Sequence, residues 1–282
     1  TRRRPRAGAG RERRLSTQRP LALVTGASAG LGAAFARSYA AQGCDLALCA
    51  RRVDRLEALA GELSTRHAIT AHVLPCDLSQ AGAAATLVET IEARGLAIDV
   101  LVNNAGYGVP GSYRSQPWAV HAAFQQVMVE SVAELCWRVI PGMRARGRGT
   151  IVNVASLAGH MPGSAGHTLY GPAKAWMIRF SECLHAELRD EGITVCALCP
   201  GFTYTEFHDV NGMRPHVSRL PELLWMTAED VVREGLAAVA RRDAVYIPGR
   251  LNRLIAAAAR FLPRRLVRAA VASRERDFRQ VD

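Results

Sequence analysis

Short apolar, β-branched runs recur along this chain at 21–25, 45–50, 70–75, 98–103, 149–155, 193–198 and 244–247. Helical patterns such as "LGAAFARSYAAQG" and "VDRLEALAGELSTRH" lie between them. Strands that alternate with helices are joined by right-handed crossovers into a parallel sheet covered on both faces. The near-continuous apolar strands "LALV" and "VLVN" suit a sheet buried on both sides. The implied fold is α/β, a doubly wound parallel sheet of about seven strands. In such sheets ligands bind beyond the carboxyl ends of the strands, so the chemically informative residues should follow the strands.

Composition agrees and sets boundaries. The chain has 282 residues, 49% of them hydrophobic, with 24 Gly and 6% aromatics, which excludes disordered and fibrous classes for the body of the chain. No apolar run approaches the roughly 18 residues that a membrane-spanning helix needs. The net charge of +11 sits at the ends. Residues 1–19 hold eight Arg and one Glu, and residues 250–282 hold nine Arg against Glu275, Asp277 and Asp282, so 20–249 is close to neutral. Three regions follow: a basic tail over 1–19, predicted to be disordered; one domain over 20–249; and a basic amphipathic helical extension over 250–282. A nucleic-acid binder would carry its charge on the body, so no nucleic-acid partner is expected. The extension has an apolar stripe and an Arg-rich face. Docking on the body or on a second subunit is preferred for it over contact with an anionic membrane.

The start imitates an export signal, arginines followed by "LALVTGASAGLGAAFA". The same residues read better as a strand and a phosphate loop, so a cytoplasmic location is expected. Seven Cys do not suggest a disulfide scaffold. Cys196 and Cys199 have a CxxC spacing but lie in an apolar strand with no second pair, so neither a redox nor a metal role is expected.

After the first strand comes "TGASAGLG", with Gly26, Gly30 and Gly32 around Ser28 and Leu31. Glycines permit the tight turn and let backbone N–H groups approach a pyrophosphate at a helix N-terminus. After the second strand, the place where NAD-binding domains carry an acidic residue is Ala50, followed by Arg51 and Arg52. With two guanidiniums and no carboxylate there, NADP(H) is the expected cofactor. Asp77 and Leu78 follow the third strand, and Asn103, Asn104, Ala105 and Gly106 the fourth. An Asp at a strand end suits an adenine amino group, and a small turn leaves room for a ribose.

Ser156 ends the strand "TIVNVAS", and Tyr170 and Lys174 stand four apart on one helix face. Lys174 is the only lysine in the chain, whose 35 other cations are arginine. A phenol titrates near 10. A neighbouring ammonium stabilises the phenolate and brings it toward the range useful for proton transfer. A compact charge on a flexible stem suits a place between a phenol and a sugar, which a guanidinium would not.

Together "TGASAGLG", "NNAG", the strand-end Ser156, "YGPAK" and "PGFTYT" resemble the short-chain dehydrogenase/reductase family over about residues 20–249. The resemblance implies a single Rossmann-type domain, a small carbonyl or alcohol substrate, and a homodimer or homotetramer. It implies Tyr170 as acid/base, Ser156 orienting the substrate carbonyl, and Lys174 holding the nicotinamide ribose. Pro200, Gly201 and Thr205 would line the nicotinamide side, Asp77 and Leu78 the adenine, and Asn104 to Gly106 the ribose region. The chain departs from the family at Met128, where an Asn usually anchors a water of the proton relay. Methionine cannot hold that water by hydrogen bond, which leaves backbone carbonyls, Glu130 or Ser131 to compensate, or slow turnover. Ser156 and Tyr170 are also 14 apart where 12 or 13 is commoner, an extra length that the loop absorbs.

The sequence therefore points to an NADP(H)-dependent oxidoreductase interconverting a carbonyl and an alcohol on an apolar small molecule. The alternatives are a 3-oxoacyl-thioester reductase of lipid synthesis, or a cofactor-binding regulatory or scaffold protein with little catalysis. The substrate loop is expected after the sixth strand, in "FTYTEFHDVNGMRPHVSRLPELLWM", where Phe202, Tyr204, Phe207 and 223–226 either meet an apolar substrate or pack the loop on the body. His160, His167 and His208 fall near the cleft without metal-ligand spacing.

Overall fold

A computed structural model describes residues 19–163, 165–166, 168–206 and 221–269. Residues 1–18, His167, Phe207, His208 and 270–282 lie outside the described residues. The strands are β1 (Leu21–Thr25), β2 (Asp45–Ala50), β3 (Ala71–Pro75), β4 (Ile98–Asn103), β5 (Gly149–Val154), β6 (Ile193–Leu198), β7 (Phe202–Tyr204), β8 (Trp225–Thr227) and β9 (Val245–Tyr246). Seven of them form one parallel sheet in the order β3-β2-β1-β4-β5-β6-β9. The remaining two, β7 and β8, pair in parallel as a separate ladder that the apolar pattern does not announce.

The helices are α1 (Gly30–Ala41), α2 (Val53–His67), α3 (Ala83–Ala93), α4 (Trp118–Gln125), α5 (Ser131–Arg146), α6 (Tyr170–Leu188), α7 (Ala228–Ala240) and α8 (Arg250–Phe261). They cover both faces. Ala22 and Val24 turn to Phe35, Leu56, Leu63 and Val231 of α1, α2 and α7. The alternate residues Leu21 and Leu23 turn to Leu87, Phe124, Leu135 and Met143 of α3 to α5. That two-sided burial is why the strands are apolar throughout rather than alternating. The fold is the Rossmann-type α/β sheet that the alternation implies.

Local chemistry sets several helix ends. Thr227 caps α7, its hydroxyl oxygen accepting the Asp230 N–H at 3.1 Å, and Glu229 and Asp230 complement the dipole in the first turn. By contrast α1 has no side-chain cap and no acid in its first turn. Between α4 and α5 the helix runs on through a π turn, Gln126–Glu130, centred on Met128.

β1 lies between β2 and β4, so the chain leaves its carboxyl end in one direction and returns on the other side. This is the topological switch point where such sheets open a crevice. Thr25 ties the two sides of it together. Its hydroxyl donates to the Val102 carbonyl (3.1 Å) and accepts the backbone N–H groups of Asn104 (2.9 Å) and Ala105 (3.0 Å). The Asn104 amide returns to the carbonyls of Thr25 (2.9 Å) and Gly26 (3.2 Å). Thr25→Val keeps the shape and strands two partly buried N–H donors. The change is expected to destabilise by about 2–4 kcal/mol and to lower Tm by roughly 5–10 °C in calorimetry. A Tm unchanged within about 2 °C would show that the knot is not what joins β1 to β4.

Candidate active site

One cavity of about 1790 Å³ opens above the carboxyl ends of the strands, and the expected catalytic and cofactor residues line it, apart from Gly32 and Asn103, which lie behind its wall. The glycine turn forms its near edge. Gly26 (φ +66°) and Gly30 (φ +53°) adopt left-handed backbone that other residues rarely take. A Cβ on Gly26 would lie 2.8 Å from the Asn104 amide, and one on Gly32 would overlap the Gly26 carbonyl oxygen. The glycines therefore serve the close passage of two backbones as well as an open approach from the cavity.

At one end of the cavity sit Arg51, Arg52, Ser28 and Asp77. Burial pushes the Asp77 carboxyl up, but the Ser79 N–H at 3.0 Å, the Ser79 hydroxyl and nearby Arg51 bring it below the usual carboxylate range. Arg52 donates to Ser28 Oγ through Nε (3.3 Å) and Nη2 (3.1 Å). Its Nη1 reaches Glu206 Oε2 at 3.0 Å, while Arg55 donates to Glu206 Oε1 at 2.6 Å. These two guanidiniums, Arg55 first, hold the Glu206 carboxyl below its ordinary range. The expectation of a carboxylate-free site around Arg52 is thus corrected. Glu206 arrives from the segment after β7, far away in sequence, and seats a carboxylate on the same arginine.

In the middle of the cavity the end of β5 meets α6. Ser156 caps the short 3₁₀ turn Leu157–His160, its Oγ accepting the Ala158 N–H at 3.1 Å, and hydrogen-bonds the Tyr170 side chain. Lys174 is 4% exposed, its Nζ donating to the Val154 carbonyl at 2.6 Å and lying 5.8 Å from the centroid of the Tyr170 ring. Burial lowers the Lys174 ammonium from 10.5 to about 8. Burial also raises the Tyr170 phenol to about 12, against the lowering pull of Ser156. Both shifts have one cause, burial, which disfavours the charged form of each group.

Other groups escaped the sequence reading. Asn103 donates to Asn153 Oδ1 (2.9 Å), Asn153 to Ser181 Oγ (2.9 Å), and Ser181 to the Met177 carbonyl (2.7 Å), all buried. This chain fixes β4 and β5 to α6, the helix that carries Tyr170 and Lys174. The available signal was a lone polar residue in each apolar run, as in "TIVNV". Met128 is fully buried and would lie 2.8 Å from a Cβ on Gly106. Of the groups expected to stand in for the usual Asn, Ser131 is committed to the Leu78 carbonyl (2.9 Å) and Glu130 faces solvent. The π turn re-pairs the main chain around Met128, the Ser131 N–H donating to the Gln126 carbonyl.

The far end of the cavity is apolar. Met161, Pro162, Phe202 and Leu224 line it together with Ile255, Ala258, Leu262 and Leu266 of the C-terminal extension. Within the expected substrate loop, Tyr204 and Trp225 stack on each other (4.7 Å) and Phe202 tilts against Trp225 (5.6 Å), so these rings pack the loop more than they meet the cavity. Among the described residues no cluster of metal-ligating side chains occurs, and no helix is long and apolar enough to cross a membrane.

Over residues 20–213 the chain matches the family profile described as short chain dehydrogenase. An uncharacterized oxidoreductase of Myxococcus xanthus is 32% identical over 235 residues, covering 83% of this chain and 92% of that one. A short-chain dehydrogenase from Sphingobium yanoikuyae, solved in complex with NADPH, has a TM-score of 0.76 at 32% identity, covering 93% of this chain and 98% of its own. The bulky-bulky ketone specific alcohol dehydrogenase from Comamonas testosteroni has a TM-score of 0.72 at 29% identity, covering 94% and 97%.

The titration of Lys174 has a measurable consequence. Below about pH 8 both the folded and the unfolded chain carry its proton. Between about 8 and 10.5 only the unfolded chain does, so folded stability rises with pH through that window. The stability difference between wild type and Lys174→Met is expected to be constant below pH 8 and then to move in favour of wild type by up to about 3 kcal/mol. Urea titrations across this range check it. A difference that does not change would mean that the folded lysine keeps an ordinary affinity for its proton.

Proposed function

The chain belongs to the short-chain dehydrogenase family, an oxidoreductase family, and from that premise we propose that it uses NADP(H) to interconvert a carbonyl and an alcohol on an apolar small molecule. The observation that carries this reading is the meeting of Ser156, Tyr170 and Lys174 in the cavity that also holds the glycine turn. The residues present fit a dinucleotide. The uncapped first turn of α1 offers N–H groups to a pyrophosphate, and Ser28 with Arg52 offers a cationic, hydrogen-bonding place for a 2′-phosphate. The NADPH complex of the Sphingobium relative supports the same cofactor.

When bound, the nicotinamide gives or takes the hydride. Tyr170 gives the proton to the oxygen of the reduced carbonyl, or takes it from an alcohol, and Ser156 orients that oxygen through its hydroxyl. Lys174 holds the ribose and restores positive charge beside the phenol. The apolar end of the cavity, from Met161 to Leu266, receives the body of the substrate, and the bulky-ketone relative supports a large one. The reading includes a cytoplasmic location and a homo-oligomer, the oligomer supported by Trp137, which stands 72% exposed on α5.

Tyr170→Phe is expected to lower kcat at least about a hundredfold in carbonyl reduction while NADPH still binds. Near wild-type turnover would sink the mechanism, and binding without turnover by the wild type on a broad carbonyl panel would favour a non-catalytic binder with Met128 in its relay position. Cofactor choice is tested at Glu206, whose carboxylate must share or yield Arg52 when a phosphate arrives. Glu206→Gln is expected to tighten NADPH roughly fivefold to tenfold, with NADH within about twofold, as a loss of about 1 kcal/mol of competing charge predicts. Titrations followed by nicotinamide fluorescence read both. A wild type that binds NADH more tightly than NADPH would overturn the NADP(H) assignment.

A further inference from the structure

We propose that the described part of the C-terminal extension, residues 250–269, is a docking face for an anionic lipid surface, with the apolar mouth of the cavity turned toward the lipid. The docking stands on its own; only the passage of substrate from lipid to cavity rests on the function proposed above.

The extension is spent on two sides and open on the third. Asn252 and Ala256 are buried against the body, Asn252 donating to the Pro248 carbonyl at 2.9 Å and filling the space a side chain on Gly201 would need. Ile255, Ala258 and Ala259 wall the cavity. The remaining side carries Leu254 (66% exposed) and Phe261 (79%), seven residues apart on one stripe of α8. Leu262 (50%) and Leu266 (55%) follow, and both also line the cavity, so they form its rim. Leu223 (80%) adds to the patch from the short turn that packs on α8. Large side chains gathered this way, out in water, mark an interaction surface.

Charge selects the partner. Residues 250–269 hold six Arg and no Asp or Glu. Arg253 is engaged with Glu234 and the Tyr246 hydroxyl. Among the described residues, no carboxylate pairs with Arg250, Arg260, Arg264, Arg265 or Arg268. On α8 the Arg250, Arg253 and Arg260 stripe lies beside the Leu254 and Phe261 stripe, which is the arrangement of a helix lying in a membrane interface, apolar side chains inward and guanidiniums among phosphates. A second copy of this chain fits poorly, because a two-fold axis through the patch would set arginines against arginines. A nucleic acid would take the arginines and leave Leu254 and Phe261 in water.

The test is sedimentation of the full chain with phosphatidylcholine vesicles, with and without phosphatidylglycerol. The eight arginines of 1–19 would hold any anionic surface, so the variants decide. Wild type is expected to bind only the anionic vesicles. The Leu254→Ser/Phe261→Ser chain, altered where the side chains are exposed and outside the cavity lining, is expected to lose at least about tenfold in vesicle affinity with its Tm and its basal activity unchanged. An environment-sensitive dye on Leu254→Cys should shift to the blue with anionic vesicles alone. Undiminished binding by the double variant, with no dye shift, overturns the proposal. So does loss only on Arg264→Glu/Arg265→Glu, with equal retention on polyglutamate, which would indicate an acidic protein partner. A double variant that changes from dimer to monomer while its vesicle binding stays intact would make the patch a self-association face and overturn it too.

Discussion

Thr25 stands where three demands meet. β1 must end, the chain must turn through two glycines, and β4 must arrive beside it close enough to close the sheet. A single hydroxyl, donating once and accepting twice, satisfies the backbone of β4 while the Asn104 amide satisfies the backbone of β1. The approach is so close that Gly26 and Gly32 admit no side chain. The side chains of Thr25 and Asn104 are spent on backbone groups of the opposite strand end, and α1 begins with no side-chain cap of its own.

A second constraint acts on α6. Lys174 is a charge almost without water, held by the Val154 carbonyl, and its proton is correspondingly loose. The buried chain Asn103–Asn153–Ser181 ties α6 to β4 and β5, and with it the helix that carries Tyr170 and Lys174. Phenol and ammonium are displaced in the same chemical sense, each toward its neutral form.

The strand and helix alternation made the sheet legible, and the residues after each strand made the cavity legible, because both follow from chain-local pattern and from the rule that ligands gather at strand ends. What escaped was tertiary. Glu206 sits 154 residues from Arg52, and nothing in "TEF" marks it as an acid bound for the second strand. Asn153 and Ser181 look like interruptions of apolar runs until they are seen facing each other. The pattern that makes α4 and α5 helical is blind to one residue of extra width, so the π turn at Met128 does not register in sequence. The apolar stripe of the extension is visible in the sequence, but a helical stripe does not say that it faces a cavity on one flank and water on the next.

The size and gradient of the cavity bear on what it can hold. Its volume of about 1790 Å³ exceeds the roughly 300–1,000 Å³ typical of a pocket for one small ligand, which leaves room for two placed end to end. Ser28 and Arg52 make one end charged, and Leu224 and Ile255 make the other apolar. Ser156, Tyr170 and Lys174 stand where the polar half gives way to the apolar half. That second wall is made by a segment outside the sheet, packed on it through a few contacts at Asn252 and Ala256. Side chains there can change in size without disturbing the strand ends, so the shape of that wall is set independently of the positions of Ser156, Tyr170 and Lys174.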